Sequence, residues 1–280
     1  MLDQIKKLCQ AYGITPQRSK GQHFLMDTTV IDTMVETARL TERDTVLEVG
    51  PGLGILTEAL VAVAGHVVSV ELDRKLFALL QAKFVASRNL ELVNDDILRW
   101  NLADRLGAEY KVVANIPYNI TSRFLKNILT AEVKPSTAVI LVQKEVAERI
   151  CAPAGQLSLL GISVQLYGRP AVVATVGRQQ FWPMPAVDSA IVAIRDIQPA
   201  AAIAARLKPV TEKQFWQLVR IGFSAKRKKL VNNLAAGLKV SGKIVESAAA
   251  EVGLTPNVRA QNLTVADWLE LAKKLVMYLN

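Results

Sequence analysis

The sequence predicts an α/β fold with a mostly parallel sheet, followed by a small helical domain. Short apolar runs alternate with segments of helical apolar spacing between residues 45 and 194, which is typical of βαβ units. A glycine-rich turn follows the first run, and beyond residue 200 the spacing is helical. We therefore predict a ligand-binding α/β domain over residues 1–200 and a helical domain over residues 201–280.

Apolar periodicity gives the elements in order. The predicted strands are 45–49, 66–71, 90–93, 111–114, 137–142, 172–176 and 190–194, and the predicted helices between them are 55–64, 74–85 and 121–129. In such sheets a ligand binds beyond the carboxyl ends of the strands, near the point where strand order reverses. The glycine turn, Glu71, Asp96 and Asn115 all fall at such ends, so we expect them to line one site.

Charge separates the two predicted domains. The net charge of the 280-residue chain is +9. Residues 1–200 hold 21 Lys and Arg against 20 Asp and Glu, whereas residues 201–280 hold 13 against 5. The Ala-rich stretch after Pro199 is interpreted as the connection, and residues 257–263 as a loop. A basic domain attached to a neutral one favours polyanion binding, with a soluble basic tail as the alternative.

Composition disfavours several classes of protein. No apolar run reaches the roughly 18 residues that a membrane span needs, and residues 1–12 lack the features of a signal peptide. The cysteines, Cys9 and Cys151, fit no metal spacing and are expected to be reduced thiols. With His23 and His66 as the two histidines, neither a zinc site nor a histidine-based triad is expected. We predict a cytoplasmic monomer without a metal or a membrane partner.

The turn at residues 48–54, E-V-G-P-G-L-G, favours one cofactor class. Gly50 and Gly52 allow the backbone to approach a ligand, and Gly54 allows the following helix to pack tightly. Pro51 removes an amide donor of the kind that a dinucleotide pyrophosphate uses. The turn therefore favours the methionine moiety of S-adenosylmethionine over NAD.

Two acidic positions support a nucleoside cofactor. Glu71 lies about 20 residues beyond the glycines, where a carboxylate can accept hydrogen bonds from both ribose hydroxyls. NAD sites share this feature, and a solvated strand-end carboxylate is the alternative. Asp96 follows the third strand and could accept from the adenine amine of a cofactor, although a helix N-cap is a strong alternative.

The stretch Asn115-Ile116-Pro117-Tyr118 at the end of the fourth strand suits a flat base with an exocyclic amine. The Asn115 side-chain oxygen and the Pro117 carbonyl can accept from the amine while Tyr118 stacks on the ring. With a methyl donor in the glycine turn, the pattern predicts N6-methylation of adenine. The two acceptors would favour a more tetrahedral nitrogen, which is electrostatic positioning and not base catalysis.

Two further segments are candidates for the nucleic-acid side. The loop 181–190, F-W-P-M-P-A-V-D-S-A, is stiffened by two prolines, so Phe181 could sandwich the base against Tyr118. An aromatic beside a proline is more often a core residue. The cluster Lys226, Arg227, Lys228 and Lys229, together with Arg220, is predicted to contact phosphates, with a solvated basic face as the alternative.

The motifs together resemble those of the ribosomal RNA adenine dimethyltransferase family. G-Q-H-F-L, E-V-G-P-G-L-G, V-E-L-D, D-D-I-L, N-I-P-Y-N-I, Q-K-E-V-A-E-R, the 181–190 loop and F-S-A-K-R-K-K-L-V-N-N-L occur in the family's order, from about Lys20 to Asp267. The last of these is similar to the branch that acts on small-subunit RNA. The resemblance is specific because eight motifs agree at once.

The resemblance carries definite expectations. It implies a Rossmann-like S-adenosylmethionine-dependent methyltransferase sheet with a small helical C-terminal domain, and dimethylation of two adjacent adenines in small-subunit ribosomal RNA, or in an assembly intermediate, during subunit biogenesis. It implies catalytic roles for Asn115, Pro117, Tyr118 and Phe181. The cofactor contacts that it implies are Gln22, His23, Leu25, Gly50, Gly52, Glu71, Leu72, Asp96, Ile97 and Asn115.

Three departures from the family pattern stand out. His23 replaces the usual Asn of G-Q-N-F-L, so the side-chain contact with the cofactor differs. The loop 151–158 is shorter than usual, and Trp182 occupies a position often held by a smaller residue.

The alternative functions are those of a large-subunit methylase conferring macrolide resistance, a non-catalytic RNA-binding factor, and, more distantly, an NAD-dependent enzyme.

Overall fold

The computed structural model describes residues 2–17, 21–107 and 109–280. Lys20, where the resemblance begins, lies outside these ranges. The chain forms two compact units, one of residues 1–148 with 168–198 and the other of residues 149–167 with 199–280. Residues 149–167, predicted to belong to the first domain, cluster with the second unit. The division at residue 200 stays a prediction.

The first unit contains a seven-stranded mixed sheet. Its strands are β2 (Thr45–Val49), β3 (His66–Val70), β4 (Leu90–Val93), β5 (Lys111–Asn115), β6 (Thr137–Gln143), β7 (Arg169–Val176) and β9 (Ser189–Arg195), in the order β4-β3-β2-β5-β6-β9-β7. Strands β2 to β6 are parallel, and β9 is antiparallel to both of its neighbours. The predicted α/β class is confirmed, and every predicted strand is present with ends within three residues.

Register explains why the strand ends meet. Val49 pairs with Val70, and Val70 pairs with Val93, so β2, β3 and β4 finish at one edge. Strand β5 lies on the other side of β2 and ends at Asn115 at the same edge. The strand order reverses at β2, which makes this edge the expected ligand position in a doubly wound sheet.

Helices cover the sheet of the first unit. They are α1 (Leu2–Ala11), α2 (Thr28–Ala38), α3 (Ile55–Val63), α4 (Arg74–Lys83), α5 (Ala103–Leu106) and α6 (Thr121–Thr130), and α7 (Lys144–Ile150) contains the division between the units. Asp27 caps α2, and Asp73 caps α4, each through a carboxylate that accepts a backbone N–H. The five central strands, β3, β2, β5, β6 and β9, are buried apolar runs, as expected where helices pack on both faces, whereas the edge strands β4 and β7 are more exposed.

A two-stranded ribbon outside the main sheet was not predicted. Strand β1 (Phe24–Leu25) pairs antiparallel with β8 (Phe181–Trp182), and Met26 N donates to the Gln180 carbonyl at 2.8 Å. The first strand predicted from the sequence begins at residue 45, and residues 181–190 were predicted to be a loop. The ribbon joins segments more than 150 residues apart, and each strand has only two residues, too few for an alternating pattern.

The second unit is helical. It contains α8 (Leu159–Gln165), α9 (Ala200–Leu207), α10 (Glu212–Gly222), α11 (Leu230–Leu238), α12 (Gly242–Glu251) and α13 (Val265–Lys274). The interpretation of the Ala-rich stretch as a connection was wrong, because residues 200–207 form α9, and alanine is the strongest helix former. The predicted loop 257–263 contains a short 3-10 helix, Ala260–Asn262.

The core of the second unit surrounds Trp268, Phe215 and Leu218, all fully buried. Capping boxes begin α10 at Thr211 and α13 at Thr264. None of the helices in the described part of the chain combines the length and apolarity that crossing a membrane requires.

Candidate active site

The glycine turn between β2 and α3 forms the floor of a cleft. Gly50, Gly52 and Gly54 have φ angles of 65°, 59° and 74°, which other residues rarely adopt. A Cβ on Gly50 would stand 3.3 Å from the Pro117 ring, and one on Gly52 would stand 3.2 Å from the Phe24 ring. The glycines therefore keep the backbone both in a left-handed turn and close to its neighbours.

A cleft of about 620 Å³, open to solvent, lies above this turn. Seven of the predicted site residues line it, namely Gln22, His23, Leu25, Gly50, Gly52, Glu71 and Asn115. Four segments distant in sequence, around residues 22–25, 50–52, 71 and 115, thus meet around one space, as the positions at strand ends led us to expect. Glu48, which the sequence analysis did not single out, also lines the cleft.

Glu71 is held by the backbone at the mouth of β3. One carboxylate oxygen accepts from Gly52 N at 3.2 Å, and the other accepts from Asp73 N at 2.8 Å. Only 5% of the residue is exposed. Burial raises the pKa of Glu71 to about 7, because it outweighs these hydrogen bonds. Glu71 therefore ties the glycine turn to the start of α4, and its residue lines the cleft.

Glu48 is a charged residue in the centre of the sheet. Its Oε2 accepts from Thr57 Oγ1 at 2.8 Å and from Ser69 Oγ at 2.5 Å. Its Oε1 is buried without a hydrogen-bond partner, and burial raises the pKa of Glu48 to about 7. A glutamate inside the apolar strand T-V-L-E-V was the sequence feature that could have identified it, because charged residues are almost never fully buried without a role.

Three predicted cofactor residues lie outside the lining of the cleft. Leu72 is 63% exposed, and Ile97 is buried. The Asp96 side chain accepts from Leu98 N at 3.0 Å, and its carbonyl accepts from Arg99 N and Trp100 N. Asp96 thus stabilises a turn, as the capping alternative suggested, and its predicted contact with a cofactor stays a prediction.

Asn115 is the last residue of β5. It is half-buried and lines the cleft. The Pro117 carbonyl accepts from Ile120 N at 3.1 Å in the turn that leads into α6. The Thr121 hydroxyl lies 3.5 Å from this carbonyl oxygen and 3.4 Å from that of Tyr118. A carbonyl oxygen has two lone pairs, so one is available to an amine when the Thr121 hydroxyl donates to Tyr118. The two acceptors predicted for a base therefore lie on a single turn at the carboxyl edge of the sheet.

Tyr118 is restrained at both its ring and its hydroxyl. The hydroxyl lies 2.7 Å from Ser189 Oγ, and the ring stacks on His23 with centroids 5.6 Å apart and planes at 26°. Burial raises the pKa of the Tyr118 phenol, so the hydroxyl stays protonated at neutral pH. Phe181, its predicted partner in a base sandwich, is 2% exposed and packs in a core cluster with Leu25 and Ile31. The sandwich stays a prediction.

The predicted RNA-binding cations lie in the second unit. Arg220, Lys226, Arg227, Lys228 and Lys229 are all exposed, and no described carboxylate forms an ion pair with them. The buried Asn233 holds the segment between α10 and α11, donating to the Gly222 carbonyl at 2.6 Å and to the Ala225 carbonyl at 3.0 Å. Five unneutralised cations on and after α10 suit a polyanion.

The chain is similar to known proteins along most of its length. The family profile of ribosomal RNA adenine dimethylases matches residues 15–276. A ribosomal RNA small subunit methyltransferase A of Dehalococcoides mccartyi is 43% identical, covering 96% of this chain and 91% of its own. The same enzyme of Pelotomaculum thermopropionicum is 35% identical, covering 96% and 94%.

Two solved structures are similar to this chain over most of its length. A dimethyladenosine transferase from Plasmodium falciparum superposes with a TM-score of 0.78 at 26% identity, covering 91% of this chain and 98% of its own. The 23S rRNA methyltransferase ErmE gives a TM-score of 0.71 at 29% identity, covering 90% and 99%. The predicted fold class, a methyltransferase sheet with a helical C-terminal part, is confirmed by these likenesses.

Proposed function

The chain belongs to the ribosomal RNA adenine dimethylase family, and from this premise we propose that it dimethylates N6 of two adjacent adenines in small-subunit ribosomal RNA during subunit assembly. The relatives named small subunit methyltransferase A match over nearly their full length. One observation carries the assignment of the site: the glycine turn and Asn115 line the same cleft. A methyl donor and an acceptor amine can therefore be held side by side.

S-adenosylmethionine is the cofactor of this family, and it supplies an electrophilic methyl group on a sulfonium. The cleft fits it in two respects. Gly50 and Gly52 leave room that a Cβ would fill, and the unpartnered Glu48 Oε1 and the Glu71 carboxylate offer acceptors for a cation and for hydroxyls. We call Glu48, Gly50, Gly52 and Glu71 the cofactor side of the cleft.

The acceptor side consists of Asn115, Pro117, Tyr118 and Ser189. The N6 lone pair of adenine is delocalised into the ring and is a poor nucleophile. The Asn115 oxygen and the Pro117 carbonyl would accept the two N6–H groups and favour a more tetrahedral nitrogen. An amide cannot take up the proton, so the excess proton leaves to water.

Binding of the RNA is divided between stacking and charge. Tyr118 would stack on the base, an interaction worth about 1–3 kcal/mol. The cations Arg220, Lys226, Arg227, Lys228 and Lys229 would contact phosphates and position the RNA without reading its sequence. We further propose that the protein acts as a cytoplasmic monomer on an assembling subunit.

The test is transfer of labelled methyl groups to unmethylated small subunits, with free small-subunit RNA, large subunits and their RNA in parallel. We expect dimethyladenosine in digests of small-subunit RNA, with four methyl groups per subunit when two adenines are modified. Label confined to large-subunit RNA would place the chain with macrolide-resistance methylases. No label, with small subunits still bound, would make it an assembly factor without catalysis.

A further inference from the structure

His23 connects the proline-rich loop 181–190 with Tyr118 of the acceptor side. Its Nδ1 lies 2.6 Å from the Pro183 carbonyl, which follows β8, and its ring stacks on Tyr118 at a centroid distance of 5.6 Å. A carbonyl oxygen only accepts, so Nδ1 carries the proton and donates. The ring is therefore fixed in orientation by one contact and lies against Tyr118 through the other.

The backbone around His23 makes this arrangement rigid. Phe24 pairs with Trp182, and Leu25 with Phe181, in the ribbon that begins one residue after His23. A Cβ on Gly21 would stand 3.1 Å from Tyr118 N, so the chain before His23 also runs against the Tyr118 backbone. Ser189 holds the Tyr118 hydroxyl from the opposite end of the same proline-rich loop.

With His23 on one face, the Tyr118 ring has only its other face for a base. The position of the ring then depends on His23 for its plane and on Ser189 for its hydroxyl. The Asn that the family usually carries at this position can donate to a carbonyl, but it has no ring to stack. The departure from the family pattern thus adds a contact that an Asn lacks.

We propose that His23 is a positioning residue for the acceptor adenine, which acts by fixing the plane of Tyr118. The inference rests on the proposed function, because it assumes that Tyr118 stacks on the base. His23 also lines the cleft, and the resemblance assigned it to the cofactor. In our proposal, the main effect of His23 is on the position of the base and not on cofactor binding.

The experiment compares His23→Ala, His23→Asn and His23→Phe with wild type. His66→Ala serves as the matched control, since His66 is the other histidine and is partly exposed at the start of β3. Turnover and KM for unmethylated small subunits are measured together with the equilibrium Kd for S-adenosylmethionine. In protein labelled with carbon-13 tyrosine, the chemical shift of Tyr118 reports the stacking by NMR without any substrate. The Tyr118 signals are assigned as those that disappear in Tyr118→Phe.

We expect His23→Ala and His23→Asn to lower kcat about tenfold, because a small misplacement of a reacting group is costly. The Kd for the cofactor should change less than about threefold. His23→Phe keeps the ring and should retain kcat within about threefold. The Tyr118 signals should shift in His23→Ala and stay unchanged in His66→Ala.

Three results would overturn the inference while leaving the proposed function intact. They are an equal loss of cofactor affinity and turnover in His23→Ala, wild-type kinetics in all three variants, and unmoved Tyr118 signals in His23→Ala. Beyond these three, retention of turnover by His23→Asn but not by His23→Phe would overturn the role of stacking and assign the effect to the hydrogen bond with Pro183. Failure of wild type to transfer methyl groups would instead reject the proposed function.

Discussion

On the cofactor side of the cleft, the groups proposed to face the ligand are backbone atoms of one turn, the Glu48 carboxylate within β2 and the Glu71 carboxylate just after β3. On the acceptor side, Asn115, Tyr118 and Ser189 come from two separate regions of the chain, joined by His23 and the β1–β8 ribbon. The cofactor side is thus local and carries buried charge. The acceptor side is non-local and largely neutral, so the two should respond differently to substitution and to pH.

The largest effect is expected for Asn115→Ala on the acceptor side. Loss of the side-chain acceptor should lower kcat by about 100-fold or more, in the range found for removal of one preorganised polar group. The Kd for S-adenosylmethionine should rise less than about fivefold. The control is Asn127→Ala, whose amide donates to the Leu98 carbonyl at 3.2 Å. Equal losses in kcat and in cofactor affinity would show that Asn115 acts on cofactor binding as much as on the reaction, which contradicts its place on the acceptor side.

On the cofactor side, Gly52→Ala should produce the opposite pattern. Its φ of 59° and the Phe24 ring 3.2 Å from the added Cβ both oppose the substitution. We expect a cofactor Kd about 30-fold weaker and a loss of about 1–3 kcal/mol in stability. Gly253→Ala is the matched control, with a φ of 78° and nothing within 4 Å of its Cβ, and it should cost stability without changing the Kd.

We expect cofactor binding to depend on pH, because an acidic group is buried on the cofactor side. In the free protein the pKa of Glu48 is about 7, so a bound cation favours its ionised form. Affinity for S-adenosylmethionine should therefore rise between pH 6 and pH 8. Glu48→Gln should bind about tenfold more weakly than wild type at pH 8 and nearly equally at pH 6, by calorimetry. A parallel pH profile in the variant would show that Glu48 does not face the cofactor.

The same carboxyl group affects stability with a definite sign. The folded pKa of about 7 exceeds the ordinary value of 4.5, so between these pH values the folded state binds more protons than the unfolded state. The contribution of Glu48 to stability is therefore lost as pH rises through this window. Denaturant unfolding of the protein without cofactor should give a flatter dependence on pH for Glu48→Gln than for wild type.

The smallest effect is expected for Ser189→Ala. The Tyr118 hydroxyl loses its partner, while the stack on His23 remains. KM for small subunits should rise about two- to threefold, and kcat should fall by a similar factor. Tyr118→Phe tests the same hydrogen bond from its other end. In the double variant the effects should be less than additive, and full additivity would show that the two hydroxyls act independently.

The features that could be predicted from the sequence are the local ones, and those that could not are mostly non-local. Strand ends, the glycine turn and Glu71 were found because each depends on a short stretch of chain with a clear pattern. The pairing of Phe24 with Trp182 and the stack of His23 on Tyr118 were not found, because they depend on tertiary contacts between short, distant segments. Glu48 was overlooked although its position in an apolar strand marked it. The α9 helix was missed because its alanines were taken for a linker.

The position of β9 has a consequence for synthesis of the chain. This strand is the last of the sheet in sequence, yet it lies between β6 and β7 and pairs with both. Until residue 195 has left the ribosome, the apolar strand β6 has an unpaired edge that no earlier strand can cover. A nascent chain halted before that point therefore exposes a surface suited to aggregation or chaperone capture. Residues 149–167 of the second unit are synthesised before β7 and β9, so completion of the first unit overlaps with synthesis of the second.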